Sequence, residues 1–246
     1  MTDSHPMPPA TLTPQEARQR LAQVEQLMVA YRSAIDEVET KLRVLQREFT
    51  HANSYNPIEN VSTRLKSMDS LLRKARRRGC TKIDDVRTHI TDVAGVRIVC
   101  SFTRDVYRVR DLLLAQHDVT LLSEKDYVAH PKPNGYRSLH LIIEVPVFLS
   151  SGAQSVPVEV QLRTIAMDFW ASLEHKIYYK YDGHVPEHLL TELTTAADTA
   201  NRLDADMERL HHEISALRTP GDDVDDALVP EMLRLMSYFD GTSDHP

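Results

Sequence analysis

The chain has 246 residues, 41% of them hydrophobic, enough apolar material for a buried core in one generous domain or two small ones. Its 29 basic residues against 36 acidic ones leave a formal charge of −7, which argues against nonspecific coating of duplex nucleic acid and makes any anion site a local one. Cys80 and Cys100 are too few for a disulfide scaffold or a cysteine-rich zinc site and read as buried or half-buried thiols. With no run near the roughly 18 apolar residues that a membrane span needs, and no apolar signal core at the start, a cytoplasmic protein is expected.

Residues 1–12 read as a disordered tip. Thr13, Pro14 and Glu16 then supply a cap, a first-turn proline and a capping-box acid for a helix over 14–49. Its apolar positions Tyr31, Ile35, Val38, Leu42, Leu45 and Phe49 recur by four and three. VSTRLK alternates as a half-buried strand, Ser67 caps a helix towards Gly79, and a short helical stretch follows around Ile83 to Ile90. VAGVRIVCSF, VTLLSE, RSLHLIIEVPVF and VPVEVQLR are four further strands, with DVYRVRDLLLAQ as a helix after the first of them. This order predicts an α/β or α+β domain on a five-stranded mixed sheet flanked by helices, with its core at about 58–183. Thr164 caps the next helix, and Pro186 opens a longer one over 186–218. Along it Leu189, Leu193, Ala196, Ala200, Leu203, Met207, Leu210, Ile214 and Leu217 form a second seam. Spacing alone leaves open whether the two seams pack on each other or build an oligomer. Residues 219–246 carry seven acids and one arginine and read as an acidic tail with a short helix around Glu231 to Phe239.

The seven glycines match neither the P-loop nor the dinucleotide fingerprint, so side chains must hold any bound phosphate. Between Arg64 and Arg87 nine basic residues face three acids. Ser70, Lys74 and Arg77, spaced by four and three, share one helix face near the strand-borne Arg64 and Lys66, a donor set shaped for a polyphosphate. Asp92 precedes a strand, and Glu159, Gln161 and Arg163 project from one face of another. Two readings stand side by side for the carboxylates: a structural ion pair with the arginine, or a pair that holds Mg²⁺ against substrate phosphates. The loop KDYVAHPKPNGYRSLH gathers Lys125, Lys132, Asn134, Tyr136 and His140, more donors and aromatic surface than a turn requires.

RLKSMDSLLRK, DVAGVRIVC, KDYVAHPKPNGYRSLH, VEVQLRTIAMDFWASLEHKIYYK and VPEHL together resemble the RelA/SpoT-type alarmone synthetases, in particular small single-domain ones of the RelQ kind. The resemblance runs from about Val61 to Ile214. It implies transfer of the ATP β,γ-diphosphate to the 3′-hydroxyl of GDP or GTP, with GMP a further candidate acceptor, as part of the stringent response. It assigns Arg64 and Arg97 to adenine, with Arg104 a weaker candidate there, and Lys66, Ser70, Lys74 and Arg77 to the ATP phosphates. Asp92 and Glu159 would hold Mg²⁺, and Glu159 would also orient or deprotonate the attacking hydroxyl. Tyr136 would stack on guanine, with Lys125, Lys132, Asn134, His140 and Gln161 completing the acceptor site. The resemblance further implies a homotetramer and, in some members, an allosteric alarmone site. No alarmone-hydrolase half is expected, because the adjacent His117 and Asp118 lack the distributed ligands of a metal hydrolase. Two other functions compete. A catalytically silent relative would sense nucleotides or bind single-stranded RNA through the 64–87 segment, and a nucleotidyltransferase would release pyrophosphate.

Overall fold

Thr13 and Glu16 start the first helix as the capping box predicts. The Glu16 amide donates to Thr13 Oγ1 at 3.2 Å and the Thr13 amide to Glu16 Oε2 at 2.9 Å. This helix, α1 (Pro14–Ala52), buries its four-and-three stripe from Tyr31 to Phe49, but against a sheet rather than another helix. A helix lying on a sheet needs the same apolar stripe as one lying on a helix, which is why spacing left the partner open. The computed structural model describes residues 13–52, 55–179 and 186–217 with Arg234 and Tyr238, so the tip and, those two positions aside, the tail lie outside the described residues.

The remaining elements are β1 (Ile58–Leu65), α2 (Met68–Arg77), α3 (Ile83–His89), β2 (Ala94–Cys100), α4 (Thr103–Leu114), β3 (Thr120–Asp126), β4 (Leu139–Leu149), β5 (Gly152–Thr164), α5 (Ile165–Tyr179) and α6 (Glu187–Leu217). The sheet is the expected mixed one, in the order β1-β2-β5-β4-β3. β2 and β5 run parallel and the other neighbours antiparallel. β5 starts four residues before the alternating segment, because its antiparallel pairing with β4 continues to the Leu149–Gly152 pair at the hairpin tip. Val96 and Ile98 of β2, Leu139, Leu141 and Ile143 of β4, and Val158, Val160 and Leu162 of β5 are buried beneath α1 and α4. Alternate residues of the same strands therefore face the other side.

α6 is fastened to the end of β5 and to α5. Thr164 Oγ1 accepts from the Met167 amide at 3.1 Å, capping α5, and donates to the buried Asp204 Oδ2 of α6 at 2.6 Å. Trp170 Nε1 of α5 donates to the Leu193 carbonyl at 3.0 Å. Gly135, at φ +84°, brings the loop between β3 and β4 against α6 so closely that a Cβ there would lie 2.4 Å from Ala197 Cβ. The rest of the α6 seam is spent on neither α1 nor the core, since Leu203, Met207, Leu210 and Ile214 are exposed. Asp118, of the adjacent His117–Asp118 pair, is held by Lys41 Nζ of α1 at 2.6 Å, a structural ion pair.

Candidate active site

Strand register assembles the site. On the open face, Lys125, His140, Gln161, Arg97 and Ser62 lie side by side across β3, β4, β5, β2 and β1. On the adjacent row, Glu159, Gly95 and Arg64 are neighbours. Gly95 has no side chain to fill the space between Arg64 and Glu159. The resulting cavity, of about 400 Å³, is lined by Arg64, Lys66, Asp92, Arg97, Glu159 and Gln161 together with short residues of β1 and β2.

One wall is cationic. The Lys66 amide donates to the Val93 carbonyl at 2.8 Å, tying the end of β1 to the start of β2 and setting Lys66 beside Asp92. Asp92 Oδ2 then meets Lys66 Nζ at 2.8 Å and Lys74 Nζ, from α2, at 2.6 Å. Burial opposes ionisation of this carboxyl, but the two ammonium groups outweigh it and hold Asp92 below the usual carboxylate range. Ser67 caps α2 by accepting from the Ser70 amide at 3.4 Å, and the Ser70 hydroxyl receives Arg73 Nη2 at 3.0 Å.

The other wall is aromatic and polar. Lys132 Nζ stands 4.6 Å from the ring centres of both Tyr127 and Tyr136. Asn134 Oδ1 accepts from the Tyr136 amide at 3.2 Å, and its Nδ2 donates to Glu174 Oε1 at 3.2 Å. Arg163 Nη2 donates to the Tyr136 hydroxyl at 2.7 Å and to Gln161 Oε1 at 3.0 Å. The phenol proton is thereby left for His140 Nε2, 2.8 Å away, which assigns the Nδ1–H tautomer. Nδ1 itself lies 3.8 Å from Glu159 Oε1, too far for a hydrogen bond. Gln161 Nε2 donates to Glu159 Oε2 at 3.1 Å.

Burial foremost, then the charges of Arg163, Lys132 and Lys125, push His140 down to about 4. The folded protein therefore binds a proton at His140 less readily than the unfolded chain does, and stability falls as pH drops from the ordinary histidine value of 6.5 towards 4. His140→Gln is expected to remove on the order of 2–3 kcal/mol of that acid sensitivity. Urea melts of both proteins between pH 7 and 4.5 check this, and parallel pH profiles would contradict it.

The donor set fits a hard cation. Asp92 Oδ1 is buried with no hydrogen-bond partner, and Glu159 lines the same cavity. Among the described residues no group of three or more metal-type side chains exists. Two carboxylates with room left for phosphate and water are what Mg²⁺ takes, in contrast to a closed protein cage.

Not every expected residue reaches the cavity. Arg77 is exposed on the last turn of α2. Arg104 turns to α6, where its Nη1 meets His212 Nε2 at 2.6 Å and its Nε lies 3.9 Å from Glu208. Three residues join the site without having been singled out for it: Tyr127, Arg163 and Asp168. Tyr127 lay within the donor-rich loop and Arg163 on the Glu159 face, but Asp168 carried no local signal.

A family profile described as a region found in RelA / SpoT proteins matches residues 63–184, a span that begins at the Arg64 wall and passes through the whole aromatic one. The GTP pyrophosphokinase YwaC of Bacillus subtilis is 46% identical over 188 residues, covering 76% of this chain and 90% of the relative. The chain belongs to the RelA/SpoT family. Within it, the resemblance is to the small alarmone synthetases. The crystal structure of small alarmone synthetase 1 from Bacillus subtilis bound to its product pppGpp superposes with a TM-score of 0.71 at 38% identity, covering 78% of this chain and 98% of that one. The same enzyme bound to AMPCPP gives 0.66 at 36% identity over 79% and 98% of the two chains. The five-stranded sheet and its long flanking helices are thus the small alarmone synthetase architecture.

Proposed function

We propose that this RelA/SpoT-family chain moves the β,γ-diphosphate of ATP to the ribose 3′-hydroxyl of GDP or GTP, giving ppGpp or pppGpp and AMP. The observation that carries this is the position of Glu159, in one cavity with the lysine-held Asp92 and joined through Gln161 and Arg163 to the Tyr136 wall. Arg64 and Arg97 flank adenine, while Lys66 and Lys74, with Ser70 of α2, receive the phosphates, which the exposed Arg77 of the same helix would have to turn inward to join. Tyr136 offers its plane to guanine, with Lys125, Lys132, Asn134, His140 and Gln161 around the acceptor. Arg104 belongs to the packing of α6 in this reading.

Glu159 accepts the proton of the 3′-hydroxyl, whose oxygen attacks the β-phosphorus. The bond from that phosphorus to the α–β bridging oxygen breaks, and AMP leaves with the oxygen. Mg²⁺, held by Asp92 and Glu159, would neutralise charge on the phosphate oxygens. Such a transfer depends on positioning and charge more than on covalent chemistry, which suits a site made of ammonium, guanidinium and carboxylate groups. Incubation with ATP, Mg²⁺ and GMP, GDP or GTP in turn, followed by anion exchange, tests the reading and ranks the acceptors.

We further propose a homotetramer built on α5 and α6. Ile165, Phe169, Leu173 and Ile177 of α5 and Leu203 and Met207 of α6 line one open apolar groove of about 870 Å³, a contiguous patch in place of singly scattered apolar residues. Phe169, 66% exposed, is the most telling position. Phe169→Asp is expected to shift light-scattering mass to a smaller species, and a wild-type chain already monomeric would contradict the assembly. An alarmone effector would act on that assembly, read as a rate change on adding ppGpp at fixed substrates. A second reading has one observation in its favour: Arg73, Arg76, Arg77 and Arg78 are all exposed on or just after α2. RNA binding there with no AMP formed would favour the single-stranded RNA module.

A further inference from the structure

Arg97 and Arg163 stand on the neighbouring strands β2 and β5, and one carboxylate oxygen joins them. Asp168 Oδ1, on the first turn of α5, lies 3.0 Å from Arg163 Nη1 and 3.3 Å from Arg97 Nη1. The two arginines differ in freedom. Arg163 is 5% exposed, and its remaining nitrogens are spent on Ser138 Oγ at 3.3 Å, Gln161 Oε1 at 3.0 Å and the Tyr136 hydroxyl at 2.7 Å. Its guanidinium also lies 5.2 Å from the centre of the Tyr136 ring. Arg97 is far more open, its Nε has no hydrogen-bond partner, and Asp168 supplies its ion pair.

We infer that Asp168 is a positioning residue that couples the two nucleotide subsites, holding the adenine-facing Arg97 in register with the guanine-facing Tyr136 through Arg163. The inference rests on the assignment of those two walls to adenine and guanine. A guanine nucleotide that settles on Tyr136 and Gln161 bears on the two acceptors that the already ordered Arg163 holds, and through Arg163 on the shared oxygen of Asp168, which sets the direction of the freer Arg97. The ATP subsite is then ordered before ATP arrives, and the ordering cost is met once for both ligands. Such coupling is reciprocal, so ATP raises the affinity for the acceptor by the same factor. The path is a contiguous run of hydrogen-bonded and ion-paired groups between the two walls, and the coupling itself is what a ratio of dissociation constants measures.

The test is the ratio of dissociation constants for a non-hydrolysable ATP analogue measured without and with saturating GDP. The full-length wild type is expected to show a ratio of about fivefold or more. Asp168→Ala, confirmed as folded by its melting curve, is expected to bring the ratio to within about twofold of one. A purely structural contribution would weaken both ligands and leave the ratio alone. If the alanine variant does not fold, Asp168→Asn, which keeps an acceptor but loses the charge, is read instead and must also fall below the wild-type ratio. A wild-type ratio of one, or a folded variant with the wild-type ratio, overturns the inference. Arg97→Ala and Tyr136→Ala separate it from its premise. If they fail to weaken ATP and GDP respectively, the subsite assignment is wrong; if they do weaken them and the ratio is unchanged by loss of Asp168, only the coupling is wrong.

Discussion

Glu159→Gln is expected to lower kcat by roughly 10²–10⁴-fold while the dissociation constants for ATP and GDP stay within about threefold of wild type. The amide keeps the size of the side chain and its reach to Gln161, so the cavity wall survives. It cannot accept the 3′-hydroxyl proton, and it offers no charge to a cation. Both losses fall on the transition state rather than on the bound substrates, which is why kcat and not binding carries the change. Equilibrium binding beside single-turnover chemistry separates the two. Wild-type turnover in this variant would remove Glu159 from both of its roles.

Asp92→Asn acts on the opposite wall and has two effects of opposite sign. Lys66 and Lys74 are mostly buried and share the one oxygen Asp92 Oδ2, so neutralising that carboxyl leaves two ammonium groups uncompensated. The free protein is expected to melt at a lower temperature. ATP phosphates supply the missing charge, so binding of ATP in the presence of a chelator is expected to tighten by a few-fold. Turnover with Mg²⁺ is nonetheless expected to fall by at least about 100-fold, because the unpartnered oxygen Asp92 Oδ1 would supply one of the two carboxylate ligands of the proposed cation site. Calorimetric titration with and without Mg²⁺ gives both numbers. Chelator-phase binding that weakens instead would mean that the two lysines do not meet the phosphates.

Much of this site was legible before any coordinates. Arg64, Lys66, Asp92, Glu159 and Gln161 carry chemistry at positions that a family resemblance matches one by one, and all of them line a single cavity. The alternation of VEVQLR is enough to put Glu159 and Gln161 on a common face. What alternation cannot supply is which strands are neighbours. The parallel pairing that sets Arg97 beside Gln161 joins segments separated by α4, β3 and β4, and it follows from the whole topology rather than from either strand. Asp168 was invisible for a related reason: a single acid in the first turn of a helix is an ordinary dipole contact until two arginines from other strands converge on it. Arg104 shows the converse. A basic residue just past a site strand looks like a ligand to phosphate or base, but the first turn of α4 points it at Glu208 and His212. The two helical seams had the same spacing and met different fates, because periodicity measures the width of an apolar stripe and says nothing about what covers it.

The most direct test of the central claim uses ATP labelled separately at the β- and γ-phosphates, incubated with Mg²⁺ and GDP. Diphosphate transfer predicts that both labels move together into a guanine nucleotide bearing two added phosphates, with one AMP formed for each. Transfer of the γ-label alone with ADP as the partner product, or release of both labels as pyrophosphate, would contradict the account.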